Sequence, residues 1–394
     1  MSAMDEPSPT HRPRSTRLAI VVVALVVAAI AGGFFAVGGW PKSHQSRALI
    51  GIITPPPPSP SPTPPKLSGH MPAGQALILY RRLGKSERPS ELLGATWSGA
   101  LYTGYDTPTT IGAAFQSPDG SKLLFGSRVY EVTTANDLGG LSISDGVPWT
   151  ALWGDDSRHI CWMSGSNVNS PADVSIQGVG MPAVHLASLP GAQWQGSGGQ
   201  LVSFPSILAC SPLAGVVVVA QVGGGGENTD VWVLNAGTGT VEYHQAFPPA
   251  AGASGTRVVA SQDGEYLAEI DSAGASSIIR RWSDGSVLAQ LAGLEVHAFS
   301  WDDSRVLVTD RQPGLAIINV SFQSPSVIDL RTGQAIWQAP PGSRWFDPEL
   351  VVQPGGAGLA LGLNVCNPDC QVNLWLIGAD GKGRELDHNV QMLP

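Results

Sequence analysis

The stretch that decides the fold runs from Val258 to Gln290 and reads VVASQDGEYLAEIDSAGASSIIRRWSDGSVLAQ. It contains four short apolar runs of strand length, and turn residues separate each run from the next. Asp-Gly pairs stand at two of these turns, and they favour tight hairpins. The stretch therefore predicts one four-stranded antiparallel meander.

The first turn of this stretch recurs along the chain, which indicates an internal repeat. If positions 119, 155, 213, 263, 302 and 355 are equivalent, neighbouring copies lie 36 to 58 residues apart, with a mean of about 47. A second turn recurs downstream in four of these units, at Gly237–Gly239, Asp284–Gly285, Thr332–Gly333 and Asp380–Gly381. One four-stranded propeller blade takes roughly 40 to 50 residues. The repeats therefore predict an all-β protein built as a β-propeller of four-stranded blades.

At these turns the chain resembles the bacterial WD40-like propeller repeats of the TolB type. Their signature is an apolar strand, Ser-Pro-Asp-Gly and a second apolar strand, and Ser117–Gly120 matches the four-residue core fully. The resemblance covers the chain from about Ile111 to its C terminus. It implies a propeller fold without implying an activity, because propellers serve as hydrolases, lyases, oxidoreductases and inert scaffolds.

The number of blades depends on how the ring closes. Strand-like segments at Gln75–Tyr80 and Ala95–Tyr102 precede the first clear repeat. One blade of a propeller commonly takes strands from both chain ends, which leaves no free sheet edge. The 320 residues from 75 to 394 fit seven blades of about 46 residues slightly better than six. We therefore predict a propeller domain over 75–394 with seven blades, and six as the alternative.

The charge balance restricts the partners of this domain. The chain has 394 residues, 13% charged residues and a net charge of −9. It lacks the basic patch that nucleic-acid binding requires. We therefore expect no nucleic-acid partner.

The N-terminal region predicts an export signal that stays in the membrane. Residues 1–17 are polar and carry three arginines, and residues 18–40 form an uninterrupted run without charge. As a helix this run reaches about 34 Å, enough to cross a hydrocarbon core of about 30 Å. The positive flank predicts that 1–17 is a cytoplasmic tail and that everything after Trp40 is extracytoplasmic. Cleavage near Ala29–Ala31 remains the alternative, and it would release the protein.

A proline-rich linker follows the predicted transmembrane helix. It spans 41–74, and within it Thr54–Lys66 interleaves proline with serine and threonine. Such a segment forms a semi-rigid polyproline II stalk of roughly 40 Å. We expect it to hold the propeller clear of the cell membrane.

The four cysteines suggest disulfides, as an oxidising compartment allows. Cys366 and Cys370 flank a three-residue turn, where cross-strand Cβ atoms approach closely enough to bond. Cys161 and Cys210 fall in strands of successive repeats. They form a second pair if those blades are neighbours, and free buried thiols are the equal alternative.

The sequence lacks a recognisable catalytic, cofactor-binding or metal-binding motif. The carboxylate pairs at Asp155–Asp156 and Asp302–Asp303 lie at the repeated turn, where Asp serves backbone hydrogen bonds. The histidines are scattered over different repeats, at positions that are not equivalent. Gly-x-Ser-x-Gly is absent, and the glycine-rich stretches lack the following Lys of a phosphate loop. We therefore predict no catalytic residue, metal ligand or cofactor.

Tryptophans are the better candidates for a binding surface. Trp232, Trp282 and Trp375 fall at equivalent positions in the third strand, which favours packing between blades. Four others are irregular and stand in surroundings rich in Gly, Pro and Ser, which favours an exposed binding face. They are Trp97, Trp149, Trp194 and Trp345.

Three functions agree with these features. The favoured one is a non-catalytic binding or scaffolding propeller, anchored in the cytoplasmic membrane and facing a protein or glycan partner outside the cytoplasm. An exported propeller enzyme, such as a lactonase, lyase or glycan hydrolase, would need carboxylates and histidines to converge at the axis. A sensor would need a membrane partner, because the cytoplasmic tail is too short for a signalling domain.

Overall fold

The structure is a computed structural model, and the ranges that it describes are 70–83, 89–104, 114–143, 150–165, 171–191, 193–195, 200–223, 228–247, 256–271, 276–310, 322–323, 325–366 and 370–393. The chain divides into two units, Met1–Ser61 and Pro62–Pro394, and every described residue lies in the second. The predicted tail, membrane segment and proline-rich stalk lie outside these ranges. Among the described residues, no helix is long and apolar enough to span a membrane.

The described part of the second unit consists of β-strands in seven antiparallel sheets, which are the blades of a propeller. The strands of the first three blades are β1 (Leu77–Leu83), β2 (Pro89–Thr96), β3 (Leu101–Thr103) and β30 (Val390–Met392) in blade 1; β4 (Ala114–Gln116), β5 (Lys122–Phe125), β6 (Arg128–Glu131) and β7 (Asp137–Gly140) in blade 2; and β8 (Thr150–Trp153), β9 (His159–Ser164), β10 (Ala172–Gly178) and β11 (Ala183–Leu189) in blade 3.

Blades 4 and 7 each carry a fifth, short strand. The strands of the last four blades are β12 (Gln193–Gln195), β13 (Gln200–Ser211), β14 (Val216–Gly223), β15 (Asn228–Asn235) and β16 (Val241–Ala246) in blade 4; β17 (Thr256–Ala260), β18 (Tyr266–Asp271), β19 (Ser276–Arg281) and β20 (Val287–Ala292) in blade 5; β21 (Leu294–Phe299), β22 (Arg305–Asp310), β24 (Ser326–Asp329) and β25 (Gln334–Gln338) in blade 6; and β23 (Phe322–Gln323), β26 (Ser343–Val352), β27 (Leu359–Cys366), β28 (Cys370–Ile377) and β29 (Gly383–His388) in blade 7.

Blade 1 closes the ring with strands from both ends of the propeller domain. Residues Val390–Met392 of β30 pair antiparallel with Tyr80–Arg82 of β1. Seven blades and a shared closing blade are therefore confirmed. The repeated first turn joins the first strand of a blade to its second, so blade 1 has no such turn, because β30 and β1 come from opposite ends. This explains why the sequence shows six copies of the turn for seven blades.

The first strand of each blade lies toward the centre of the ring. Contacts run from β4 to β8, from β8 to β13, from β13 to β17 and from β17 to β21, and β26 contacts β30. The order of the strands within each sheet then places the other strands of a blade at increasing distance from the centre.

The hydrophobic core is divided among the blade interfaces. Seven clusters of buried apolar side chains each join two neighbouring sheets, and together they run round the ring. Trp232 belongs to the cluster between blades 3 and 4, Trp282 packs between blades 4 and 5, and Trp375 packs between blades 6 and 7. The prediction that these third-strand tryptophans pack between blades is confirmed.

The repeated turn has one hydrogen-bond pattern. In blade 2, Asp119 Oδ1 accepts from Ser117 Oγ at 2.7 Å and from the Ser121 amide at 3.0 Å, and Gly120 follows at a positive φ of 66°. Asp263 and Asp302 repeat the pattern in blades 5 and 6. The structural role expected for Asp at this turn is therefore confirmed at these positions.

Blade 3 shows that one of the aligned positions was wrong by one residue. Asp156, rather than Asp155, accepts the amide two residues ahead, at 2.9 Å from Arg158, and Ser157 takes the positive φ that Gly120 has in blade 2. The side chain of Asp155 is thereby free to face blade 4.

Candidate functional site

An open groove with a volume of about 640 Å³ lies between blades 3 and 4. Its walls come from the end of β10, the start of β11 and the two turns of blade 4. The lining residues are His159, Ile176, Gly178, Met181, Pro182, Val184, Pro212, Gly215, Asn235, Ala236 and Gly237. Ligand sites in proteins commonly have volumes of about 300 to 1,000 Å³ and mostly apolar walls. The groove therefore shares the volume and the mostly apolar lining of such sites.

The two blades that form the groove are joined covalently. Cys161 on β9 and Cys210 on β13 form a disulfide with a Cα–Cα distance of 5.8 Å. Both cysteines are buried, at 0% and 2% exposure, in the apolar cluster between the blades. The second pair proposed from the sequence is thus confirmed, and the alternative of free thiols is wrong.

Exposed apolar side chains stand on and beside this groove. Met181 is 61% exposed and Val184 is 54% exposed, and Leu213, next to the lining residue Pro212, is 73% exposed. Single exposed apolar residues are ordinary, whereas several around one concavity favour an interaction surface.

His159 is the titratable residue among those that line the groove, and a carboxylate orients its ring. His159 Nδ1 lies 2.6 Å from Asp156 Oδ2. Burial disfavours the Asp156 carboxylate, but hydrogen bonds from the Arg158 amide and from His159 outweigh burial and lower the pKa of Asp156 below its usual value. The ionised Asp156 carboxylate accepts the hydrogen bond of His159 Nδ1–H and thereby orients the ring.

Asp155 ties the same turn to blade 4. Its carboxylate accepts hydrogen bonds from Ser211 Oγ and from the Leu213 amide. Burial raises the pKa of Asp155, and those two hydrogen bonds oppose the rise. The carboxylates of Asp155 and Asp156 therefore both accept hydrogen bonds from other groups of the protein.

A second group of titratable residues lies between blades 5 and 6. Asp263, Glu265 and Asp303 each place a carboxylate oxygen within 4.8 Å of the others. Burial raises the pKa of Asp303 to about 8, and the Asp263 and Glu265 carboxylates act in the same direction. Carboxylate oxygens are ligands that Ca²⁺ and Mg²⁺ prefer, so these three residues could hold a divalent cation.

The repeat pattern of the sequence does not predict this cluster. It assigned Asp302–Asp303 to the turn, which is right for Asp302, whereas Asp303 Oδ1 is buried and receives no hydrogen bond from a described residue. Asp303 stands at φ 53°, where blades 2 and 5 have Gly120 and Gly264. A non-glycine residue at that position was the available signal.

The four candidate tryptophans have different outcomes. Trp97 is partly buried against the core between blades 7 and 1. Trp149 and the side chain of Trp194 lie outside the described residues, although the Trp194 backbone belongs to β12. Trp345 is 0% exposed, so its prediction as part of an exposed face is wrong. It lies in the long strand β26, where its ring packs in the core between blades 6 and 7. The ring centroids of Trp345 and His297 are 4.9 Å apart, and the two rings make an edge-to-face contact.

One further prediction concerns two cysteines at the ends of neighbouring strands. Cys366 and Cys370 stand opposite each other in the pairing of β27 with β28, but their side chains lie outside the described residues. The bridge between them stays a prediction.

Burial and the Arg257 guanidinium lower the pKa of His297, whose ring nitrogens lie 3.1 Å from Arg257 Nη2 and 2.7 Å from Thr309 Oγ1.

His159 is the groove residue that sequence reasoning missed. It was treated as one of several scattered histidines. The spacing of Asp156 and His159 across the repeated turn was the signal, because a carboxylate three residues earlier on a tight turn can reach the ring.

Comparisons with known proteins find structural similarity at low sequence identity. No protein-family model matches the sequence, and no curated protein matches it significantly. A candidate 6-phosphogluconolactonase from Bacteroides fragilis is 13% identical with a TM-score of 0.47, and the match covers 82% of this chain and 99% of that chain. A second such protein from Bacteroides uniformis is 12% identical with a TM-score of 0.47, over 81% and 100% of the two chains. The β-propeller domain of Cps50 (Swd1) from Myceliophteria thermophila is 11% identical with a TM-score of 0.45, over 73% and 90%. Similarity at this level carries no information on function.

Proposed function

We propose that this protein is a membrane-anchored propeller, exposed outside the cytoplasm, that binds a protein or glycan partner without catalysing a reaction. The charge-free run at 18–40 with its positive N-terminal flank supports the anchor and the orientation. The disulfide between blades 3 and 4 supports export, because such bonds persist in oxidising compartments. The shared Ser-x-Asp turn supports a kinship with TolB-type repeats.

The observation that carries this function is the composition of the groove between blades 3 and 4. Among the described residues its lining is apolar apart from His159 and Asn235, and these residues include no Ser, Thr, Cys, Asp, Glu or Lys side chain. His159 has a carboxylate behind it, but no nucleophile among the lining residues for it to activate. Such a site suits binding rather than bond cleavage.

Capture of partners by the full-length protein tests this function. The protein is cross-linked in intact cells and recovered with its bound partners, in wild-type form and as Val184→Glu. The matched control is Val287→Glu on β20 of blade 5, because Val287 is 53% exposed and Val184 is 54% exposed. We expect a partner that wild type and Val287→Glu retain and that Val184→Glu loses. Equal recovery by all three proteins would overturn the role of the groove.

A second candidate function, an exported hydrolase, is favoured by the carboxylates of blades 5 and 6. Converging carboxylates of which one has a raised pKa are typical of acid catalysis and of cation sites. The test measures turnover of lactones and polysaccharides with added Ca²⁺ or Zn²⁺, for wild type and for Asp263→Asn. Cation-dependent turnover that the substitution abolishes would favour the enzyme over the binding module.

A further inference from the structure

Residues 70–76 precede β1 and begin at the outer edge of blade 1, and we call them the strap. His70 forms a parallel bridge with Thr103 of β3, and the Met71 amide donates a hydrogen bond to the Thr103 carbonyl oxygen at 3.1 Å. Met71 is buried at 4% exposure, whereas His70 and residues 73–75 are exposed. Met71 is therefore the residue that fastens the strap to blade 1.

Two glycines leave the space that the Met71 side chain fills. A Cβ added to Gly94 of β2 would lie 2.9 Å from Met71 Cε, and a Cβ added to Gly104 would lie 2.7 Å from the same atom. In this space Met71 joins the apolar cluster between blades 1 and 2, together with Leu79 and Leu92. A larger residue at position 94 or 104 would therefore compete with Met71 for its place.

The strap covers a strand that would otherwise have an open edge. β3 is the outermost strand of blade 1, and it pairs with β2 through three residues. The other edge of β3 faces His70 and Met71. An uncovered edge presents backbone N–H and C=O groups to which an extended chain can pair. The strap therefore controls access to the edge of blade 1.

The attachment at Met71 is flanked by exposed chain on both sides. Gly74 has a positive φ of 75°, and a Cβ added there would meet nothing within 4 Å. The chain becomes buried again at Leu77, whose amide donates to the Asp119 carbonyl oxygen of blade 2 at 3.1 Å. Segments with few buried contacts open locally at a small fraction of the free energy of global unfolding.

We propose that the strap is a releasable cover: it opens at Met71 while the seven sheets stay paired, and its release exposes the outer edge of β3 and the space beside Gly94 and Gly104. The cover lies at blades 1 and 2, so its opening is independent of the groove between blades 3 and 4 and of the partner proposed for it.

Native-state thiol labelling of the full-length protein tests the release. Met71→Cys places a thiol on the strap, and the matched control Leu79→Cys places one in the same apolar cluster on β1, where Leu79 is 0% exposed. We expect the thiol at position 71 to react at least about 100-fold faster than the thiol at position 79, above the wild-type background. Its rate should change little at low urea concentrations, because local opening exposes little surface. Equal rates with equal urea dependence would overturn the proposal.

Hydrogen exchange of the wild type tests the release with the methionine in place. The Met71 amide is hydrogen-bonded, and we expect it to exchange at least about 100-fold faster than the Leu79 amide, which donates to Gln116 Oε1 at 2.6 Å. Gly94→Ala should speed exchange at Met71 by a further factor of about 10 and leave Leu79 unchanged, because the three atoms nearest to the added Cβ all belong to the Met71 side chain. Exchange at Met71 as slow as at Leu79, or a Gly94→Ala effect spread over all blades, would show that the strap opens only with the propeller.

Discussion

The junction between blades 3 and 4 and the junction between blades 5 and 6 are built from the same turns and differ in how they use carboxylates. At the first, Asp155 accepts two hydrogen bonds from blade 4, and a buried disulfide lies nearby. At the second, Asp303 faces Asp263 and Glu265, and its buried Oδ1 receives no hydrogen bond from the described residues. The propeller geometry determines which residues of neighbouring turns come into contact. The residue types determine whether that contact stabilises the ring.

At the junction between blades 2 and 3, an uncharged residue takes the position that Asp303 has between blades 5 and 6. Ser157 occupies the same position of the turn, at φ 55°, and its Oγ accepts a hydrogen bond from the Asp119 amide at 3.1 Å. A hydroxyl at this position therefore joins two blades. A carboxylate there must share a proton or a cation with its neighbour.

The largest effect is expected from removal of the disulfide between blades 3 and 4. The double variant Cys161→Ala/Cys210→Ala should lose about 2–4 kcal/mol of unfolding free energy, because the bond closes a long loop of the unfolded chain. Urea unfolding of the oxidised protein measures the loss. A change below about 0.5 kcal/mol would mean that packing between the blades suffices.

An intermediate effect is expected at the second turns of blades 4 and 5. Gly239 and Gly285 both have positive φ, at 73° and 71°. A Cβ on Gly239 would overlap the carbonyl oxygen of Leu186 in blade 3, whereas a Cβ on Gly285 meets nothing within 4 Å. Gly239→Ala should cost about 3 kcal/mol and Gly285→Ala about 1 kcal/mol, as positive φ alone does. Equal losses in urea unfolding would show that blades 3 and 4 separate easily at this point.

The smallest effect concerns pH and the junction between blades 5 and 6. The pKa of Asp303 is about 8 in the folded protein, against 3.8 for the unconstrained group. The folded state thus keeps a proton that the unfolded state has released, and its stability falls as pH rises from about 4 to about 8. Asp303→Ser should therefore gain stability relative to wild type across this window, by about 1–2 kcal/mol at pH 8 after allowance for solvent screening.

Thermal unfolding of wild type and Asp303→Ser at pH 4, 6 and 8 checks the direction of this pH dependence. The matched reverse change is Ser157→Asp, which places a carboxylate beside Asp119 and should lower stability at pH 8 by about 1 kcal/mol. A constant difference between wild type and Asp303→Ser from pH 4 to pH 8 would contradict the protonated state of Asp303.

The repeat architecture was predictable because its signal is local. The turn from Ser261 to Gly264 specifies a hairpin by its own hydrogen bonds, so its copies locate blades wherever they occur. The closing strand β30 carries no such turn, and it could be anticipated only from the count of blades and the extra N-terminal strands.

Contacts between blades were far less predictable. Asp263 and Asp303, or Cys161 and Cys210, meet because neighbouring blades repeat the same path, and small shifts in register decide which side chains face each other. The sequence allowed a Cys161–Cys210 bond only as one of two alternatives. Trp345 was misassigned for a related reason: its Gly-, Pro- and Ser-rich surroundings indicated an exposed face, whereas residues 343–352 form a strand at a buried interface.

The closing of blade 1 by β30 has a consequence for biogenesis. Three residue pairs link β30 to β1, and Tyr80 and Arg82 near that seam bind the buried carboxylate of Asp387. These partners are separated by about three hundred positions, so a nascent chain can assemble blades 2 to 6 while its seam is still open. The ring is closed only after Met392 has been synthesised, and a chain truncated before Asp387 would leave one edge of β1 unpaired.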